Sequence, residues 1–148
     1  MEKERKLLKE FSIVILIFVG LSLARMIADV IINGFTATSV VEGVSPEAMG
    51  VIAVVVWVLG IIFLLPEIYI GFKGIKVAKN PDNSKSHILI AKIIFVFLII
   101  ALISAIIEVF KTTDIAMSII TIADLILDVV IYILYIKYAK AVRNSNKQ

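Results

Sequence analysis

The chain has 148 residues, of which 61% are hydrophobic and 18% are charged, and its mean hydropathy is +1.06. A soluble globular domain is about 45–50% apolar and about 25% charged, so this composition excludes an ordinary soluble domain, and a chain this apolar does not stay disordered in water. The formal net charge of +3 does not indicate nucleic acid as a partner, because the basic residues flank apolar runs instead of forming one patch. Length and composition therefore predict a single transmembrane domain covering residues 1–148.

Four apolar runs are each long enough to cross the hydrocarbon core of a bilayer as a helix, which takes about 20 residues. In chain order, the predicted crossings cover residues 11–33, 49–72, 88–110 and 115–138. A cleaved signal peptide is the alternative for the first run, but apolar residues resume after Arg25, which favours a crossing. The predicted fold class is all-α, with the lipid bilayer of the cell membrane around the helices.

The connections between the crossings are short. Residues 34–45 predict a loop, and Ser45 followed by Pro46 is typical of a helix start, with serine as the cap and proline in the first turn. Turns are predicted at residues 80–83 and 111–114. Helices joined by tight connections run antiparallel to their neighbours, so we predict an antiparallel four-helix bundle.

The positions of the basic residues predict the orientation of this bundle. Thirteen of the fifteen lysines and arginines lie in three segments, residues 3–9, 73–92 and 137–147. Basic residues concentrate on the cytoplasmic side of short membrane loops. Both termini are therefore predicted to be cytoplasmic, in a multi-pass protein of the cell membrane.

Ionisable side chains within the crossings are the candidates for function, because a charge at the centre of a membrane helix costs about 2.5–3.5 kcal/mol on insertion scales. At about 100° per residue, two helices each carry such groups on one face. The residues are Arg25 and Asp29 on the first crossing and Thr121, Asp124, Asp128, Tyr132 and Tyr135 on the fourth. We predict a buried polar network that fixes the bundle or forms an ion path, with Arg25 paired to Asp124 and Asp128 left over. The two tyrosines are expected to bond the carboxylates.

Two further sets of residues predict surfaces at which helices come close together. Small side chains let helix backbones approach closely in lipid, where packing replaces the hydrophobic driving force. The first set is Gly20, Ala24 and Ala28, and the second is Gly60, Glu67, Gly71, Gly74 and Ala78. We expect each set to be a helix contact and the second to be the surface that receives a partner. Glu67 itself lies near the predicted cytoplasmic boundary and is expected to need no special role.

The sequence offers little for catalysis or for a cofactor. It contains no cysteine and one histidine, His87, which lies in a polar stretch without nearby metal ligands and is expected to be solvated or interfacial. The sequence patterns of serine hydrolases, zinc proteases, phosphate loops and dinucleotide-binding folds do not occur. We therefore expect no enzyme activity, no cofactor and no bound metal.

One region of the chain carries a resemblance. It consists of Pro66-Glu67 and the run from Gly71 to Asn83 (GFKGIKVAKNPDN), followed by a basic segment and an Ile-rich crossing. In this glycine-containing helix end, basic stretch and proline turn, the chain resembles small four-helix integral membrane proteins of Firmicutes-type bacteria. The resemblance implies the inner membrane of a bacterium and implies no activity.

Two functions stay open at this point. The small size and the lack of catalytic groups favour a non-enzymatic protein that binds another membrane protein, as an accessory, regulatory or immunity-type subunit. The alternative is a small proton-coupled or cation transporter or channel that uses Asp124 and Asp128, since intramembrane acids often mark ion paths. Such a transporter is expected to be a homodimer, because one four-helix bundle encloses little space.

Overall fold

A computed structural model of the protein describes residues 2–33, 45–110 and 115–145. These residues form four helices: α1 (Glu2–Asn33), α2 (Pro46–Lys79), α3 (Ser86–Val109) and α4 (Ile115–Ser145). Each helix contains a stretch long and apolar enough to cross a membrane, which confirms the all-α fold class and four candidate crossings. The predicted turn at 111–114, and the predicted loop before Ser45, lie outside the described residues.

The first and last helices of the chain, α1 and α4, extend beyond their predicted crossings. The helix α1 begins at Glu2, although the first crossing is predicted from residue 11, and α4 continues to Ser145 instead of ending near residue 138. Both extensions are rich in lysine, glutamate, alanine or leucine, which are good helix formers. They also pack, because Leu8 in the first extension and Val142 in the second are buried.

The helix α2 starts as its sequence predicts. Ser45 has an extended backbone, and its hydroxyl accepts a hydrogen bond from the backbone N–H of Ala48 at 3.3 Å, with Pro46 in the first turn. The helix then runs through Pro66 without ending.

An arginine of α1 caps the C-terminal end of α2. The Nε of Arg5 donates to the carbonyl of Ala78 at 2.8 Å, and its Nη2 donates to the carbonyl of Lys79. The last carbonyls of a helix have no partner within the helix itself. Arg5 therefore satisfies two of them and ties the start of α1 to the end of α2.

Buried side chains of the described chain lie in only one half of the bundle. We call residues 2–19, 70–91 and 131–145 the packed half, and the remaining described residues the open half. The buried apolar side chains of the packed half are Leu8, Ile15, Val19, Ile70, Val77, Ala78, Ile88, Ala91, Ile131, Tyr132, Tyr135, Ala139 and Val142, and Ser12 and His87 are buried with them. No described side chain of the open half is buried, and large apolar groups such as Ile31 (76% exposed) and Phe63 (71% exposed) face outward.

Two glycines of α2 allow α1 to come close in the packed half. A methyl group added at Gly71 would lie 2.6 Å from Leu16, and one added at Gly74 would collide with the Ser12 hydroxyl and lie 2.8 Å from the Tyr135 ring. The helix α1 packs along both α2 and α4, and α3 packs chiefly along α4. Gly71 and Gly74 are thus points where only hydrogen fits between the helices.

The connection between α2 and α3 is held by polar contacts. The Lys73 ammonium donates to the Asp82 carboxylate at 2.6 Å, and the backbone N–H of Ser84 donates to the same carboxylate at 3.0 Å. The hydrogen bond from Lys73 is the main reason that the pKa of Asp82 lies below its ordinary value. These contacts bring the start of α3 against the packed half.

His87, which follows this connection, is placed differently from the sequence expectation. It is fully buried instead of solvated, and its ring meets Tyr135 edge-on at 6.3 Å between ring centres. Neither ring nitrogen forms a hydrogen bond within the described chain. The reason for the difference is that the polar stretch ends before His87, so the first turn of α3 already lies in the core.

Candidate functional site

A cavity of about 180 Å³ lies between α1, α2 and α4, where the packed half meets the open half. Its polar lining consists of Ser22, Glu67, Asp128 and Tyr132. Its apolar lining consists of Ile15, Phe18, Leu64 and Ile131. Three helices therefore bring two carboxyl groups and a phenol to the wall of one partly open pocket, which is lined by polar and apolar side chains alike.

The two carboxyl groups come from different helices. Glu67 lies on α2 and Asp128 on α4, and both side chains are half-buried. They are close enough to interact electrostatically with each other and with the Tyr132 hydroxyl. Two negative charges at one pocket repel each other, so charge on both carboxyl groups at once is unfavourable.

Tyr132 is the buried member of this group. Its side chain is only 4% exposed, and its hydroxyl lies beside the Glu67 carboxylate, in an interaction looser than a well-formed hydrogen bond. More than nine in ten buried polar groups in proteins do have a partner. The Glu67 carboxylate is therefore the partner available to this phenol, where α4 meets α2.

Tyr135 has a different role from the one expected. Its hydroxyl donates to the backbone carbonyl of Ile70 at 2.9 Å, and its side chain is fully buried against Gly74. It does not line the cavity. Tyr135 thus joins α4 to α2 instead of bonding a carboxylate, because it lies on the side of α4 that packs against α2.

The rest of the expected polar network lies elsewhere. The side chains of Arg25, Asp29, Thr121 and Asp124 are exposed in the open half. Arg25 forms no ion pair with a carboxylate among residues 2–33, 45–110 and 115–145, so the structure differs from the expected pair of Arg25 and Asp124. The physical reason is that the helices do not enclose a dry interior at this level.

The two sets of small residues also differ from each other. In the second set, Gly71, Gly74 and Ala78 are buried by helices of the same chain, and Gly60 faces the tip of Met26. That surface is therefore occupied within the chain and is not free for a partner.

The first set lies in the open half. Gly20, Ala24 and Ala28 are exposed, and a methyl group added at Gly20 would meet nothing within 4 Å in the described structure. Within the described residues, this edge of α1 does not contact another helix of the same chain.

Sequence reasoning missed the pairing of Glu67 with Asp128. A signal was present, since both lie in the cytoplasmic half of their predicted crossings. Glu67 is five residues from the predicted end at residue 72, and Asp128 is ten residues from the predicted end at residue 138. Ser12 was missed as well; it is fully buried, and its hydroxyl donates to the carbonyl of Leu8 at 2.7 Å. A serine bonded to its own helix leaves no sign in the sequence.

The described residues contain no group of three metal-ligating side chains. Comparison with known proteins adds no relative, because no family model, curated protein or solved structure matches the chain.

Proposed function

We propose that this chain is a non-enzymatic multi-pass protein of the cell membrane that acts by binding another membrane protein, as an accessory, regulatory or immunity-type subunit. The observation that carries the proposal is the open half of the bundle. There, Arg25, Asp29 and Asp124 are exposed, and none forms an ion pair with a described residue. They lie on helices apolar enough to cross a membrane, where an unpaired charge is costly. A transmembrane partner with complementary polar groups would remove that cost.

The topology that fits this role is an antiparallel bundle with both termini in the cytoplasm. Arg5 contacts Ala78, whereas Met26 faces Gly60, so residue numbers rise along α1 as they fall along α2. The basic residues cluster near both termini and around the connection from α2 to α3, which the positive-inside rule assigns to the cytoplasm. The packed half is then the cytoplasmic half, and the open half is the one in which a partner docks.

Cross-linking in the native membrane tests this proposal with a matched pair of residues on α2. Phe63 in the open half is 71% exposed and Phe72 in the packed half is 64% exposed. A photo-reactive phenylalanine analogue at position 63 is expected to capture one product of defined mass, and the same analogue at position 72 is expected to capture none. A product with twice the mass of the chain would identify the partner as a second copy.

Charge-neutral variants make the test specific. Arg25→Gln and Asp124→Asn are each expected to reduce the cross-link at position 63, because the partner loses the charge that it complements. Lys76→Gln, which removes an exposed charge of α2 in the packed half, is the control and is expected to leave the cross-link unchanged. An equal yield at positions 63 and 72, or a yield that neither variant changes, would contradict partner binding at the open half.

Transport of a proton or a cation is the second candidate, and the cavity favours it. Asp128 and Glu67 line the same pocket partway along the helices, and intramembrane acids often belong to ion paths. Asp124, the other acid expected on this path, is exposed beyond the cavity. The test is flux into proteoliposomes, which is expected to disappear in Asp128→Asn and to survive in Glu108→Gln. Vesicles that stay tight with the parent protein would exclude this candidate.

A further inference from the structure

We propose that the lipid-facing side of α3 binds an anionic phospholipid, whose phosphate is held between the ammonium groups of Lys85 and Lys92. The proposal goes beyond partner binding, because it concerns α3 and a lipid instead of the open half and a protein. The observations behind it are an unpaired lysine in a helix of membrane-spanning length, a second lysine on the same face and exposed apolar side chains beside them.

Lys92 carries a charge that the fold leaves without a counter-ion. It lies within Ser86–Val109, which is long and apolar enough to cross a membrane, and its side chain is exposed. It forms no ion pair or hydrogen bond with any residue of the described ranges. A lysine within a membrane helix is costly unless it finds a partner or reaches the interface. An anion outside the chain would remove that cost.

The depth of Lys92 brings this anion to the level of the lipid headgroups. Lys92 is four residues inside the predicted crossing that begins at residue 88, which is about 6 Å at about 1.5 Å per residue. A lysine stem spans that distance, so the ammonium group reaches the interface while the stem stays against apolar surface. The anions at this level of a bilayer are phospholipid headgroups. A zwitterionic headgroup carries its own cation, which competes with lysine, so an anionic headgroup binds better.

Lys85 provides a second ammonium group on the same face. The two lysines are seven residues apart, which is about two helical turns and brings them within about 20° of each other around the axis. They are about 10.5 Å apart along the axis, and both side chains are exposed, so their ammonium groups can converge on one phosphate. Lys85 is also the N-cap of α3 and forms no side-chain cap, so the positive end of the helix dipole adds to the attraction.

The apolar side chains on this face indicate a lipid instead of a soluble anion. Leu89 lies between the two lysines, and Val96 lies one turn beyond Lys92. Leu89 is 59% exposed and Val96 is 55% exposed. Along this face, α3 changes from basic to apolar in the direction in which a phospholipid changes from headgroup to acyl chain. A soluble anion would contact the lysines alone.

Quenching of a tryptophan on this face by brominated lipids tests the proposal. Leu89→Trp combined with Trp57→Phe gives the full chain a single tryptophan beside both lysines. The protein is reconstituted in phosphatidylcholine vesicles that contain a minor fraction of phosphatidylglycerol, with bromine on the acyl chains of one lipid or the other. Brominated phosphatidylglycerol is expected to quench more per molecule than brominated phosphatidylcholine, by about fivefold for each lysine that contacts the headgroup.

Substitutions of the lysines show whether the preference belongs to this face. Lys85→Gln and Lys92→Gln are each expected to reduce it about fivefold, and Lys92→Arg is expected to keep it. Lys9→Gln is the matched control, because Lys9 is an exposed lysine at the same end of the bundle, on a helix, α1, that does not contact α3 within the described chain. Circular dichroism and gel filtration are expected to stay unchanged, because the substituted lysines are exposed.

Three results would overturn the proposal. The first is equal quenching by the two lipids in the reporter protein. The second is a preference that neither Lys85→Gln nor Lys92→Gln reduces. The third is a reduction in Lys9→Gln as large as that in Lys92→Gln, which would assign the preference to the overall positive charge of the packed half.

Inorganic phosphate, added at constant ionic strength, separates a lipid from a soluble anion. It is expected to leave the preference for phosphatidylglycerol unchanged, because it cannot replace the contacts of the acyl chains. Loss of the preference in phosphate would show that the lysines bind a soluble anion, and it would overturn the proposal. The cross-link at position 63 is measured separately, so partner binding and the lipid site can each fail without the other.

Discussion

Replacing Gly74 with alanine measures how closely α1, α2 and α4 approach one another. A methyl group at this position would collide with the Ser12 hydroxyl and lie 2.8 and 2.9 Å from the Tyr135 ring and hydroxyl. Ser12 and Tyr135 are both fully buried, so neither can move aside into solvent or lipid. We therefore expect Gly74→Ala to destabilise the protein.

The magnitude follows from two opposing contributions to the free energy of unfolding. Alanine stabilises a helix interior by about 0.5–1 kcal/mol relative to glycine. Forcing an additional carbon into a packed core costs about 1–3 kcal/mol. Gly20→Ala carries only the first contribution, because an added methyl group meets nothing there within 4 Å. The difference between the two variants therefore isolates the packing cost, and it is expected to be about 1–3 kcal/mol.

The assay is unfolding of the full chain in mixed detergent micelles, followed by circular dichroism. Gly20→Ala is expected to be slightly more stable than the parent, and Gly74→Ala less stable. Gly60→Ala is expected to lie between them, because its added methyl group would meet only the flexible end of Met26. Adding Ser12→Ala to Gly74→Ala is expected to restore part of the lost stability, since the hydroxyl that collides is removed.

Two results would refute this reasoning. If Gly74→Ala is as stable as Gly20→Ala, the helices are not in close contact at Gly74. If the effects of Ser12→Ala and Gly74→Ala on the free energy of unfolding are simply additive, the two residues do not collide, because residues in contact show non-additive effects.

Three further changes test other contacts of the packed half. Tyr135→Phe is expected to lower the free energy of unfolding by about 1 kcal/mol, because the hydrogen bond to the Ile70 carbonyl is lost. His87→Phe is expected to be neutral or stabilising, because both ring nitrogens are buried without a partner and an apolar ring of similar shape needs none. Asp82→Asn is expected to cost a few tenths of a kcal/mol at neutral pH, since its ion pair with Lys73 is partly exposed to solvent. Because the pKa of Asp82 is lowered in the folded protein, this contribution is present above the unfolded pKa of about 4 and is lost as the pH falls through the lower folded value.

Unfolding in the same micelles checks all three, with the Asp82 variant and the parent compared at neutral and acidic pH. If Tyr135→Phe were as stable as the parent, the hydrogen bond from Tyr135 to the Ile70 carbonyl would not stabilise the fold. If His87→Phe and the smaller His87→Leu both lost more than about 2 kcal/mol, the imidazole would have a hydrogen-bonding role. A difference between parent and Asp82→Asn that grows toward acidic pH would reverse the expected sign.

Much of the fold could be predicted from the sequence because the signals are local. Four long apolar runs predict four helices of membrane-spanning length, and the described helices contain all four. Ser45 with Pro46 predicts the start of α2, and the structure confirms that start. These features depend on residues close together in the chain, so one sequence is enough to find them.

The site could not be predicted in the same way. The sequence favoured Arg25 with Asp124, because helix faces and depths can be counted from it, but Glu67 with Asp128 line the cavity. Which pair of side chains comes together depends on which segments of the helices are in contact. That information involves residues far apart in the chain, and depth alone leaves several pairs possible.

The sequence by itself determined how many apolar helices the chain forms, where the polar ends lie and which side carries the basic residues. Only the tertiary structure decided which half of the bundle is packed, that His87 and Ser12 lie inside it, and that Arg25 does not. The physical reason lies in the solvent. In water, apolar residues mark the side of a helix that faces the core, but in lipid the faces toward the core and toward the acyl chains are both apolar, so the pattern of residues does not distinguish them.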